Sequence, residues 1–393
     1  MSAPGKGLSL AVLLVAECFA MSLWFVSAAI LPGMLAESAM SPFRQAALSS
    51  GVQAGFVAGA LVSAVLGVPD RFDPRRVLGS AAILAGAVNL TLLVSVPGSG
   101  AAILARFLTG ALLAGVYPVG MKIAVGWGQR DRGFLVGALV GSLILGSALP
   151  HIFALTGTGD WRFTVTLASA AAVAGGLISQ IVSLGPHHAQ AVRFDPRVVL
   201  TAWTNRRVRL AYAGYLGHMW ELYSMWAWVA VASAVSYRAS LAENDAVRLA
   251  SITAFCAIAS GAVMSVLAGK SADRIGKADV ALYAMAVSGT CAVLTALTFG
   301  GPVWITFAIV LLWGASISPD SAQFSALVAD NAPPDQAGSL MTLQTALGFA
   351  LTFVTVQVTP MFAAWWGWPA VLAVLALGPA FGIVAMMRLK AMD

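Results

Sequence analysis

The sequence predicts an all-α integral membrane protein whose twelve transmembrane helices form two pseudo-symmetric six-helix bundles. Three observations carry that expectation: composition, the length of the apolar runs, and an internal repeat. Of 393 residues, 59% are hydrophobic and 10% charged, and the mean hydropathy is +0.86. Soluble domains are about 25% charged. So few charges cannot clothe a water-facing surface of this size, and so apolar a chain is not disordered.

The apolar runs are bounded by charges, Pro and Gly. Each is long enough to cross about 30 Å of hydrocarbon, which takes about 20 helical residues. They fall at 8–31, 46–68, 77–96, 101–125, 134–155 and 162–184, then at 210–236, 248–268, 279–299, 303–329, 339–360 and 368–387. The period-2 alternation of a membrane barrel is absent, so helices are expected. The first run is long, contains Glu17 and lacks a clear small-residue cleavage site, so it reads as a span rather than a signal peptide. Residues 185–208 are the longest polar break. The expected organisation is a bundle at 1–184, a cytoplasmic linker at 185–208 and a second bundle at 209–393.

Lys and Arg set the orientation. With the N-terminus in the cytoplasm, 16 of the 22 fall in cytoplasmic loops, and only Arg106 and Lys122 remain inside a span. Both termini are therefore expected in the cytoplasm, with the protein in a bacterial inner membrane. The net charge of +6 is then a matter of topology, and no nucleic-acid partner is expected. Cys18, Cys256 and Cys291 lie in apolar runs without metal-ligand spacing and read as core residues. There is no His-Glu-x-x-His metal site, no nucleophile–base set and no Gly-x4-Gly-Lys-Ser/Thr nucleotide loop. An enzyme, a metal, a cofactor and ATP drive are not expected.

The halves repeat. Glu17, Phe19, Met21 and Trp24 recur as Glu221, Tyr223, Met225 and Trp228, each 204 residues later. Asp70 and Arg71 recur as Asp273 and Arg274 at an offset of 203, and Pro118 recurs as Pro319 at 201. Duplicated six-span units around a central site are a transporter plan. A channel or an intramembrane enzyme has no particular need of one.

Embedded polar residues define the candidate sites. A charge at the bilayer centre costs at least about 2.5–3.5 kcal/mol on insertion scales, so such a residue is functional by default. Glu17 and Glu221 fall near mid-membrane and suit reversible proton binding; a hydrogen-bonded packing role is the bland alternative. His218 shares a helix face with Glu221, and Met225 and Trp228 continue that stripe. Glu17, Met21 and Trp24 form its counterpart, so an aromatic, Met-lined solute site is expected. Substrate-binding candidates are Trp24, Tyr117, Lys122, His218, Tyr223, Trp228 and Gln323. Lys122 either snorkels inward or holds an anionic substrate, with Gln323 as its repeat counterpart. Asp320 is a third embedded carboxylate, a partner for Lys122 or Arg106. His151, beside Pro150, reads as a helix-end residue.

Several motifs together resemble the major facilitator superfamily over essentially the whole chain. After the eighth span stand Gly269, Asp273, Arg274, Gly276 and Lys277, close to that family's Gly-x-x-x-Asp-Arg-x-Gly-Arg/Lys loop. The copy after the second span keeps Asp70, Arg71, Arg75 and Arg76, but its first glycine, Gly67, is one place late and Asp73-Pro74 replaces the second. Arg106 and Gly110 match an Arg-x-x-x-Gly element, and Asp160-Trp161-Arg162 is also typical. The Gly-Pro-x-x-Gly-Gly element of many drug/proton antiporters is missing from the fifth span, as is the glycine signature of nitrate/nitrite porters. The resemblance implies that Asp70, Arg71, Asp273 and Arg274 latch an inner gate. It implies that Arg106 joins Glu17, Glu221 and Asp320 in proton coupling, linked to a carboxylate on a neighbouring span. It also implies that the second, fifth, eighth and eleventh spans, with glycines such as Gly55, Gly59, Gly137 and Gly338, form the seam between halves.

The expected function is proton-coupled secondary transport of a small solute by alternating access, by a monomer whose partners are substrate, protons and bilayer. A small organic or inorganic anion is favoured because the antiporter element is missing. The alternative is a proton-driven exporter of amphipathic or cationic compounds.

Overall fold

The computed structural model describes residues 5–128, 131–157, 160–187, 198–333 and 336–392, without side chains at 69, 70 and 132. Of the Lys and Arg residues expected in cytoplasmic loops, Arg130, Arg193, Arg197 and the side chain of Arg132 lie outside the described residues, as does the side chain of Asp70. The described residues contain helices and no strand.

Ten helical stretches are long and apolar enough to cross a bilayer. The last of them, Ala337–Lys390, holds two spans. Gly367 interrupts it at φ 80° and ψ 159°, a conformation that favours glycine, and Pro369 follows. Arg206–Tyr237 has 32 residues but is less apolar, because it carries Arg206, Arg207, Arg209, His218 and Glu221. Among the described residues the total is twelve. Spans 1–6 are Lys6–Glu37, Pro42–Leu66, Pro74–Val94, Gly100–Val125, Arg132–Thr156 and Trp161–Ile181. Spans 7–10 are Arg206–Tyr237, Glu243–Ile275, Lys277–Leu297 and Val303–Asn331, and spans 11 and 12 are 337–366 and 368–390. The chain is a multi-pass integral membrane protein.

Local chemistry sets several helix starts. Asp73, Ser99, Asp160 and Asn205 accept main-chain N–H bonds that helix N-termini leave open. Asp73 is also gripped by the Arg75 guanidinium, 2.6 Å away, which holds its carboxyl below the ordinary carboxylate range.

The chain divides into two compact units, Met1–Ala191 and Val192–Asp393. In the first, span 1 packs on spans 4, 5 and 6, and span 2 lies along span 4. In the second, span 7 packs on spans 8, 10, 11 and 12 and is buried on nearly every side, which accounts for its mixed sequence.

Among the described residues four spans are broken, span 12 at Ala376, three residues before Pro379. Span 4 is interrupted at 114–116 and span 10 at 318–320, each just before or at a proline, Pro118 or Pro319. The ring removes the N–H that would continue the ladder. Span 1 breaks at 22–25 without proline or glycine. There Ser22, Leu23 and Trp24 donate to main-chain oxygens three residues back, which tightens the turn. Its repeat partner, span 7, runs through unbroken.

The repeat is also present in the packing. A Cβ at Gly110 would lie 2.0 Å from the Val52 oxygen, and one at Gly314 would lie 2.1 Å from the Ala257 oxygen. These glycines are 204 residues apart and let spans 4 and 10 touch spans 2 and 8 backbone to backbone. The span 2 stripe differs from the seam expectation: Gly55 and Gly59 close against Phe107 and Ala111 of span 4, inside their own unit.

Candidate functional site

The second unit holds the better-connected site. Glu221 is 1% exposed at the middle of span 7. Its Oε2 accepts from the Ser288 hydroxyl of span 9 at 2.9 Å, and its Oε1 from the Trp313 indole of span 10 at 2.8 Å. One turn away, His218 Nδ1 lies 3.0 Å from Asp320 Oδ1, and its Nε2 lies 2.7 Å from the Ser321 hydroxyl. Asp320 and Ser321 sit at the break in span 10, so span 7 grips that break through one imidazole. Phe324 packs on the His218 ring at 5.8 Å. Asp320 is thus the partner of His218 in its own unit. Gln323 is buried one turn further on.

The aromatic stripe of span 7 turns toward span 11. Trp228 Nε1 donates to the Val356 oxygen at 3.0 Å, and the Tyr223 ring meets Phe349 edge-on at 5.3 Å.

The first unit is built differently. Glu17 is fully buried in span 1, and neither carboxyl oxygen has a hydrogen-bond partner among the described residues. It lies against the short helix Tyr117–Val125 of span 4: a Cβ at Gly120 would come within 2.6 Å of its Oε2. The Tyr117 phenol is within electrostatic reach of the same carboxyl. Lys122 sits half-buried on that helix. Gln53 and His151 are likewise fully buried, with side-chain nitrogens and oxygens that lack described partners.

Arg106 is fully buried and does not snorkel. Its Nη2 donates to the main-chain oxygens of Leu23 and Trp24 at 2.8 and 2.9 Å, the carbonyls left open by the break in span 1. Its Nη1 donates to Asn89 Oδ1 at 2.8 Å, and Asn89 in turn donates to the Ser169 hydroxyl at 2.9 Å. None of these partners is a carboxylate. Trp24 lies in the clamped turn and packs on Phe56 with ring centroids 4.9 Å apart.

At the helix ends named for gating, Arg71, Asp273 and Arg274 are exposed, and their side chains have no hydrogen bond or ion pair among the described residues. The neighbouring basic position, Lys277, pairs with Asp330 of span 10 at 2.5 Å, and Lys390 pairs with Asp279. At the opposite end Arg162 forms a two-pronged bridge to Glu37.

Asn89, Ser288, Trp313 and Ser321 were missed by sequence reasoning. Asn89 alone left a signal, as an amide inside an apolar run. Serine and tryptophan are too common in spans to stand out.

A family model described as Major Facilitator Superfamily matches residues 12–356. No curated protein matches the chain significantly. Among solved structures, the fold is similar to that of the nucleoside transporter NupG, with a TM-score of 0.72 and 13% identity over 98% of this chain and 99% of that one. It is also similar to a D-xylose-proton symporter, with a TM-score of 0.75 and 13% identity over 98% and 97% of the two chains.

Proposed function

The chain belongs to the Major Facilitator Superfamily, and from that premise we propose that it is a proton-driven secondary transporter working by alternating access, with an amphipathic organic cation as substrate. The observation that carries this reading is Glu17, a fully buried carboxyl without a hydrogen-bond partner among the described residues. A bare negative charge in that setting costs several kcal/mol. The group therefore holds either a proton or a cationic ligand, and one carboxyl that takes one or the other couples their movements in opposite directions. Tyr117 and Trp24, on the same two spans, supply aromatic surface for the organic part of the ligand. Glu221, with donors from Ser288 and Trp313, and the neighbouring His218–Asp320 contact form a second buried polar cluster. The likeness in fold to a proton symporter is compatible with proton drive.

Anion transport, the expectation from the sequence, loses one of its two cations, because Arg106 is occupied by Leu23, Trp24 and Asn89. It rests on Lys122, on the same short helix as Tyr117. The excess of Lys and Arg in alternate loops supports cytoplasmic termini in a bacterial inner membrane.

Binding of tetraphenylphosphonium and of benzoate to the purified protein tests the choice. The expected result is thermal stabilisation by the cation that weakens from about pH 7.5 to about pH 5.5 and is lost in Glu17→Gln. Stabilisation by benzoate that is lost in Lys122→Ala would replace this reading with the anion one.

A further inference from the structure

The short helix Val198–Thr204, just before span 7, is used by none of the sites above. It is fixed to the second unit. Val198 is fully buried, the Thr201 hydroxyl donates to Gln336 Oε1 at 2.6 Å, and the following Asn205 donates to the Asn331 oxygen at 3.0 Å. Its other face is apolar and open. Val199 is 55% exposed, Leu200 68% and Trp203 73%. At about 100° per residue these three fall within a single arc of about 100°.

Charge borders that face. Arg206 and Arg209 are both exposed, and Arg209 folds back to donate to the Trp203 oxygen at 2.7 Å. The same end of the unit, identified by the bonds to Asn331 and from Arg207 to Met392, also exposes Lys270, Arg274 and Arg388. Two of its acids, Asp330 and Asp279, are already paired with lysines.

We propose that this helix is a foot seated on an acidic lipid surface. Val199, Leu200 and Trp203 enter the acyl boundary, while Arg206 and Arg209 bind the phosphates of anionic headgroups. An exposed aromatic and aliphatic face with arginines at its edge is the pattern of an interfacial helix, and the basic collar selects acidic over zwitterionic lipid. Because the helix is bonded to spans 10 and 11, its lipid contacts bear on the second unit directly. The inference does not depend on what the protein transports.

Tryptophan quenching by brominated acyl chains tests it on the full-length protein in lipid nanodiscs. The chain has 12 tryptophans, so the signal of Trp203 is the difference between wild type and Trp203→Phe. With bromine on phosphatidylglycerol, that difference is expected to be about threefold larger than with bromine on phosphatidylcholine at equal mole fraction. The preference is expected to vanish in Arg206→Gln/Arg209→Gln and to shrink in high salt in the wild type, which keeps the test valid if the variant misfolds. Equal quenching by the two lipids, or by neither, would overturn the proposal. So would loss of the preference on adding inorganic phosphate at constant ionic strength, which would make the arginines a site for soluble anions.

Discussion

Glu17 and Glu221 occupy equivalent places 204 residues apart, yet Glu221 accepts hydrogen bonds from Ser288 and Trp313 while Glu17 has no hydrogen-bond partner among the described residues. Duplication supplied the two carboxyls, and divergence of their neighbours separated their surroundings. Spans 9 and 10 offer donors to the second carboxyl. The first lies against Gly120, where no side chain intervenes.

The two positions should therefore respond oppositely to amide substitution. Glu221→Gln leaves one of two buried donors facing an N–H, at a cost of about 1–3 kcal/mol. Glu17→Gln breaks no bond and should leave stability unchanged or higher. Thermal unfolding in one detergent checks this, and equal losses would mean that Glu17 has a partner after all.

Arg106 should behave as a staple for the broken turn of span 1. Arg106→Ala orphans two carbonyls and an amide oxygen in a dry interior, a loss of about 3–5 kcal/mol. Arg106→Lys should rescue little, because an ammonium cannot reproduce the planar fork. Hydrogen exchange should rise selectively around residues 22–29.

His218 and Asp320 should be energetically coupled. Removing the imidazole strands a carboxyl that is 1% exposed, so His218→Leu should cost more than the double variant His218→Leu/Asp320→Leu. A double-mutant cycle should return a coupling of about 0.5–3 kcal/mol, and strict additivity would contradict the contact.

Glycines separate by position. Gly110→Ala and Gly314→Ala each force a methyl onto a backbone oxygen and should be clearly destabilising. Gly137→Ala meets nothing within 4 Å and should be neutral, or stabilising by up to about 1 kcal/mol through reduced chain entropy. Melting temperatures of the three variants decide it.

Much of the architecture was legible because it rests on local rules. Apolar length gave the spans, and Pro118 and Pro319 stand at two of the four breaks. Span 7 shows the limit: its charges and aromatics lower its hydropathy because other helices surround it, not lipid. The break at Ser22–Phe25 left no signal, because a distant arginine supports it rather than a local proline. The carboxyls were legible as embedded charges. Their partners were not, because Ser288, Trp313 and Asn89 acquire meaning only when three spans meet. The coupling role expected for Arg106 assumed a carboxylate where the fold presents main-chain oxygens.

The central claim is that one carboxyl, Glu17, exchanges a proton for a cationic ligand. The most direct measurement is proton release by the purified protein on binding tetraphenylphosphonium in weakly buffered solution near neutral pH. The expected result is about one proton per bound cation in wild type and in Lys122→Ala, and none in Glu17→Gln. Release that persists in Glu17→Gln, or cation binding without release, would contradict it.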